Sequence, residues 1–189
     1  MSQEIKTAID AGLVTAVREL KVEVIPQPRT ARFPGPAGLP VLVYRSAFRE
    51  RDPEACAALI ERTFGHNGWR NGWRDTVYDY DHFHTSAHEV LGCYRGRATL
   101  QLAGPEGPTC ELSAGDVLLL PAGAAHRRLA AEGEFAVVGC YAEGREYDMQ
   151  RGDQGDASQI EQRLKALPLP ARDPVYGADG PLQRYVVRG

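Results

Sequence analysis

Residues 81 to 96 read DHFHTSAHEVLGCYRG and hold three of the chain's five histidines. In an extended strand alternate side chains share a face, so His82 and His84 point the same way. Glu89 follows across a turn, and His126 comes from a distant segment, just past a turn marked by Pro121 and Gly123. Three neutral imidazoles and one carboxylate make a site for a divalent transition metal, iron(II) or manganese(II) ahead of nickel and zinc. In six-coordinate geometry such a set leaves two positions for water, substrate or dioxygen. Any one of these residues alone reads more readily as a solvated or internally satisfied polar group. Four together, at this spacing, read as a ligand sphere.

The neighbours supply candidate chemistry around that sphere. Tyr78 and Tyr80 share parity with His82, so either phenol could project beside the ligands, with Tyr80 a candidate catalytic proton donor; a core aromatic is the equal alternative. Arg128 shares parity with His126 and could bind a substrate carboxylate bidentately, although a rim salt bridge is the simpler role. Cys93 has the parity of Glu89, where it either faces a cavity or fills apolar space. His88 has the opposite parity and is expected off the interior, while His66 in FGHNGW is expected on the surface. Trp69 and Trp73, flanked by Arg70 and Arg74, read as a packing lid or an interface.

These residues need elements to position them. From about Thr76 to Ala142, short β-rich runs alternate with turn clusters: TVYDYDHFH, EVLGCYRG, ATLQLAG, TCELSAGD, VLLLPAG, HRRLAA and FAVVGCYAEG. That spacing predicts an antiparallel sandwich or barrel, so the fold class is all-β with peripheral helices. VLVYR at 41 to 45 is a further short β-rich run. A helix is predicted from Asp52 to Phe64, because Asp52 can cap it and Pro53 suits the first helical position. A second is predicted over 158 to 167, where Ser158 and Glu161 have capping-box spacing. Residues 2 to 20 have helical character weakened by Gly12, and 24 to 40 read as an irregular Pro/Gly-rich arm. The expected organisation is one domain over 1–189: arm and helix over 1–75, barrel core over 76–142, and helix and tail over 143–189.

Composition bounds the function classes. With 43% apolar and 25% charged residues, the 189-residue chain can bury a core. A net charge of −3 gives no electrostatic case for nucleic acid or an anionic membrane surface. No apolar run reaches bilayer length, and MSQEIKTAID carries charges too early for a signal peptide, so a cytoplasmic location is expected, with its four scattered cysteines reduced. Phosphate-cradle, dinucleotide and nucleophile-elbow motifs do not occur in the sequence.

Two spaced patterns together resemble the cupin superfamily. The first runs from Gly72 through His82-x-His84 and Glu89 to Gly96; the second runs from Gly115 through Pro121-x-Gly123 to His126. The flanks NGWRNGWRDTVYDYDHFH, YAEGREYDMQRGD and LPLPARDPVYGADGPL are similar to a group of small bacterial cupins labelled YjlB-like. The resemblance implies a double-stranded β-helix, or jelly-roll barrel, with one divalent metal per chain on His82, His84, Glu89 and His126. It also favours a homodimer, which the long terminal arms could support by crossing to a second subunit and covering strand edges. The expected function is that of a metal-binding cupin acting on a small polar molecule. Oxidation by dioxygen leads, with isomerase or lyase chemistry, or plain ligand binding, as alternatives.

Overall fold

A computed structural model describes residues 1–153 and 156–186. The ordered elements are α1 (Gln3–Asp10), β1 (Lys21–Ile25), β2 (Val41–Arg45), α2 (Pro53–His66), β3 (Trp69–Asp75), β4 (Glu89–Leu102), β5 (Thr109–Ser113), β6 (Val117–Leu120), β7 (His126–Ala142) and α3 (Ala157–Ala166). The strands form one antiparallel sheet in the order β1-β2-β6-β4-β7-β3, with β5 added to β4.

Two long strands give this sheet its shape. β4 pairs with β6 through Glu89–Gly92 and with β5 through Arg97–Gln101, while β7 runs beside it along most of its length. Register shifts between Cys93 and Arg97, and between Thr99 and Leu100, mark where the pair bends. One half of β4 and β7 thus belongs to a layer with β6, β2, β1 and β3, and the other half to a layer with β5. The sequence predicts separate strands in EVLGCYRG and ATLQLAG, and again in HRRLAA and FAVVGCYAEG; each pair is instead one bent strand. The sheet also starts earlier than the expected core at 76, since β1, β2 and β3 all belong to it. TVYDYDHFH is not a ladder strand: after Asp75 it makes isolated bridges, His82 with His126 and Phe83 with Gln150, and single backbone hydrogen bonds, from the Arg128 amide to the Tyr78 carbonyl and from the Gly123 amide to the His84 carbonyl.

Period-two alternation sorts the side chains into two cores. Val41, Val43, Leu91, Cys93, Leu118, Leu120 and Val137 pack between the layers. Their sequence neighbours Leu42, Tyr44, Val90, Val117, Leu119 and Val138 face outward, against Leu59, Ile60 and Phe64 of α2. Strands buried on both faces read as continuous apolar runs, which is why VLVY and VLLL lack alternation. α2 sits close because Gly92 lies beneath it: a Cβ there would come within 2.6 Å of Ile60.

Asp52 caps α2 as predicted, accepting from the Ala55 amide at 2.8 Å. In α3 the cap is Asp156, which accepts from the Ser158 amide at 2.8 Å, so the helix starts one residue before the predicted Ser158 and the capping-box reading is corrected. The N-terminal helix is shorter than the periodicity suggested and ends at Asp10, just before Gly12, whose φ is +72°.

The terminal segments fold back onto their own chain. Tyr176 donates to the Thr15 carbonyl at 2.8 Å, and the terminal amine meets Asp179 at 2.9 Å. Asp173, fully buried, accepts from Tyr44 Oη at 2.7 Å and from the amides of Val175, Tyr176 and Leu182 at 2.9 to 3.1 Å. One carboxylate therefore fastens the tail to the outer core.

Candidate metal centre

His82, His84, Glu89 and His126 come together at one end of the sandwich, each at most 5% exposed. β4 begins with Glu89 and β7 with His126. The extended segment carrying His82 is held to β7 by a two-way backbone bridge at 2.9 and 3.2 Å between His82 and His126. The His82 and His126 ring centroids lie 4.1 Å apart, those of His82 and His84 5.7 Å, and those of His84 and His126 6.2 Å. Glu89 Oε2 sits 3.4 Å from Nε2 of both His84 and His126.

The hydrogen bonds behind the rings fix which nitrogen faces inward. His82 Nδ1 meets the Tyr80 carbonyl at 3.0 Å, His126 Nδ1 meets the Ala124 carbonyl at 3.1 Å, and His84 Nδ1 meets the Asp148 carbonyl. A carbonyl only accepts, so each Nδ1 carries the proton and each neutral ring turns an Nε2 lone pair toward the centre. There they meet a carboxylate oxygen, Glu89 Oε2, that is buried without a hydrogen-bond partner among the described residues. Lone pairs gathered in this way call for a cation or a proton.

A proton serves only one pair. Burial, reinforced by His82, pushes His126 down to about 3, and burial also lowers His82, so both rings are neutral near pH 7. Burial opposes charge on His84 as well, but the Glu89 carboxylate outweighs it and raises that ring. Burial alone would raise Glu89, but its pairing with His84 outweighs this and holds it at about 2. A protonated His84 would pair with Glu89 and leave the other two rings unserved, whereas a divalent ion satisfies all four groups.

Among the described residues, no group of three or more His, Cys, Asp or Glu side chains stands in a finished metal-holding arrangement. The spacing nonetheless fits the donor chemistry. Two ligands at right angles on an ion with bonds of about 2.1 Å lie about 3.0 Å apart, and the contacts of Glu89 with His84 and His126, at 3.4 Å, are close to that.

A cavity of about 360 Å³ opens over this cluster, with Val77, Leu91, Trp73, Tyr78, Tyr141 and Tyr147 among its walls. Tyr141, the cross-strand partner of Glu89, is the residue that sequence reasoning missed. Its hydroxyl accepts from Trp73 Nε1 at 3.0 Å, which leaves its own proton to donate, and burial with the nearby Glu89 charge keeps that proton on well above the usual phenol range. Its parity with Glu89 would have been a usable signal had the β4–β7 register been known.

The other predicted residues lie elsewhere. Tyr80 is outside the cavity wall, stacked on Tyr78 at 4.8 Å and covered by the Arg151 guanidinium at 3.8 Å. Arg128 donates from Nε to the Val77 carbonyl at 3.0 Å and does not line the cavity. Cys93 faces inward as a filler, its thiol pushed up to about 12 by burial. His88 is buried behind the site, where Nδ1 accepts from the Ala122 amide at 3.0 Å and Nε2 donates to the Pro168 carbonyl at 3.2 Å. His66 is exposed. Trp69 packs in the outer core and donates to the Arg172 carbonyl at 3.0 Å.

A bent antiparallel sheet with three histidines and a glutamate gathered at one end defines a cupin. No protein-family model matches the chain. It is, however, 34% identical over 161 residues to the Bacillus subtilis (strain 168) protein described as "Uncharacterized protein YjlB", spanning 85% of this chain and 94% of that one. The chain belongs to the YjlB family. Solved structures similar to it include acireductone dioxygenase from Bacillus anthracis, with a cadmium ion in its active centre (14% identity, 78% of this chain and 88% of that one, TM-score 0.39). Others are QdtA, a sugar 3,4-ketoisomerase from Thermoanaerobacterium thermosaccharolyticum (17%, 51% and 74%, TM-score 0.34), and an 11S allergen from Cocos nucifera (23%, 51% and 29%, TM-score 0.36). At these identities and TM-scores the likenesses assign this chain neither a reaction nor a ligand. Among the described residues no helix is long and apolar enough to cross a membrane.

Proposed function

We propose that this protein is a metal-dependent enzyme acting on a small molecule, with one divalent transition ion held by Nε2 of His82, His84 and His126 and by the carboxylate of Glu89. The observation that carries the reading is the unpartnered Glu89 Oε2 facing imidazoles whose Nδ1 atoms are committed to backbone carbonyls. The ion would supply Lewis-acid polarisation and open positions for a ligand, and a His/carboxylate set suits iron(II) or manganese(II).

Around it the chain's own residues have separate tasks. Trp73 donates to the Tyr141 hydroxyl, and the phenol proton, which lies beside the Glu89 carboxylate, would be available to an oxygen on a bound ligand. Leu91 and Val77 keep the floor of the cavity apolar, which strengthens each polar contact above it. Oxidation by dioxygen is the leading reaction. The proton of Tyr141 equally suits an isomerase, which is the second reading.

Elemental analysis of purified protein is expected to give one iron or manganese per chain, and His84→Ala to lose most of it. Equal metal content in the two proteins would refute the ligand assignment. Oxygen dependence separates the two reactions, since turnover undiminished without oxygen selects the isomerase.

A further inference from the structure

The walls of the cavity above the His/Glu cluster are unevenly equipped. Among the described residues, three of the six large hydrophobic side chains that stand exposed lie on this one cavity: Tyr78 at 49%, Tyr147 at 42% and Met149 at 38% exposed. Water-facing apolar area gathered around a concave polar centre marks a place where apolar ligand surface is covered. Tyr147 is held in place, stacked on Tyr141 at 4.6 Å, and Tyr78 lies against His82 at 5.3 Å, so both rings stand beside the metal ligands.

Among the described residues, the same walls offer no uncommitted cationic anchor. Arg74 lines the cavity, but its guanidinium is bound to Glu61 at 2.6 Å and Glu54 at 2.8 Å. The adjacent Asp75 adds a negative charge. A phosphate entering here would find no uncommitted arginine or lysine among the described lining residues and would face a carboxylate. An oxygen-rich head, neutral or singly charged, needs only the ion and the Tyr141 hydroxyl.

We infer that the ligand of this site has a compact oxygen-chelating head and an apolar or aromatic body, the body lying against Tyr78, Tyr147 and Met149, and that phosphorylated sugars are excluded. The head depends on the metal reading given above; the apolar rim does not.

Calorimetric titration of zinc-loaded protein, which cannot oxidise the probes, with phenylcatechol, catechol and ribose phosphate tests this. Phenylcatechol is expected to bind about tenfold tighter than catechol, as burial of one further ring warrants, and ribose phosphate more weakly than either. The double variant Tyr147→Ala/Met149→Ala should lose most of the advantage of the phenyl group while holding zinc at the wild-type stoichiometry. Ribose phosphate binding as tightly as phenylcatechol would overturn the inference, as would a phenyl advantage that survives in the variant. A fall in light-scattering mass of the variant from two chains to one would also overturn it, because the rim would then be covered by a second copy. If no zinc binds, the metal reading fails, and the comparison of phenylcatechol with ribose phosphate on metal-free protein still decides the rim.

Discussion

Asp148 holds His84, one of the four candidate ligands, from behind, and removing its carboxylate should loosen the proposed metal centre without touching a candidate ligand. The side chain is half-buried and accepts from the amides of Thr85 at 2.6 Å and Ser86 at 3.0 Å, from both hydroxyls at 2.7 and 3.0 Å, and from Gln150 Nε2 at 2.8 Å. These bonds shape the short segment between His84 and Glu89, and the Asp148 backbone carbonyl takes the His84 Nδ1 proton. A hydrogen bond to a charged group contributes roughly 1.5–3 kcal/mol, and water can replace part of this set because the side chain is reachable. Asp148→Ala is therefore expected to cost about 2–3 kcal/mol of stability rather than the sum of five bonds. Outer-shell support of this kind typically sets about tenfold to hundredfold in metal affinity, or about 1.4–2.8 kcal/mol. Competition against a chromophoric chelator reads the affinity, and urea unfolding of metal-free protein reads the stability. Asp148→Asn, which keeps an acceptor for the two amides, should fall between. If Asp148→Ala holds metal within about twofold of wild type while its urea midpoint drops, His84 is oriented by something other than this brace and the reasoning fails.

Two further outcomes follow from buried groups. His88 accepts the Ala122 amide on Nδ1, so it must be neutral when folded, and burial pushes it down to about 4 from an ordinary value of 6.5. The unfolded chain binds the proton first, so stability is full above about pH 6.5 and is lost as pH falls through the folded value near 4. The loss from this ring is up to about 3 kcal/mol. Urea midpoints of metal-free protein measured across that range should slope less steeply in His88→Gln, and an unchanged slope would exclude His88 as a source. Gly139 lies under the Trp73 ring, where a Cβ would sit 2.2 Å from the indole. Gly139→Ala should displace the ring, cost about 1–3 kcal/mol in thermal unfolding and shift tryptophan emission; an unshifted spectrum would show that the strand yields instead.

The sequence by itself determined the ligand candidates and the fold class, because both rest on local rules. The x-alternation that sets His82 and His84 on one face depends only on extended backbone, and it survives although residues 76–84 form no ladder strand. The cap at Asp52 is likewise a matter of a few adjacent residues. The bend of β4 and β7 was not legible, since Gly96 reads as a turn between two strands until pairing with β7 carries the chain through it. The same holds for Tyr141, which stands beside Glu89 only through a register spanning more than fifty residues. Tyr80 and Arg128 share parity with ligands yet face elsewhere. Tyr80, in the extended segment outside the sheet, is turned under Arg151, and Arg128, although it lies in β7, is tied to the Val77 carbonyl. What tertiary structure alone decided is which polar atoms are left without partners. Satisfaction of a buried group depends on everything packed around it, and Glu89 Oε2 acquires its meaning only when three carbonyls from separate loops have claimed the Nδ1 protons of the histidines around it.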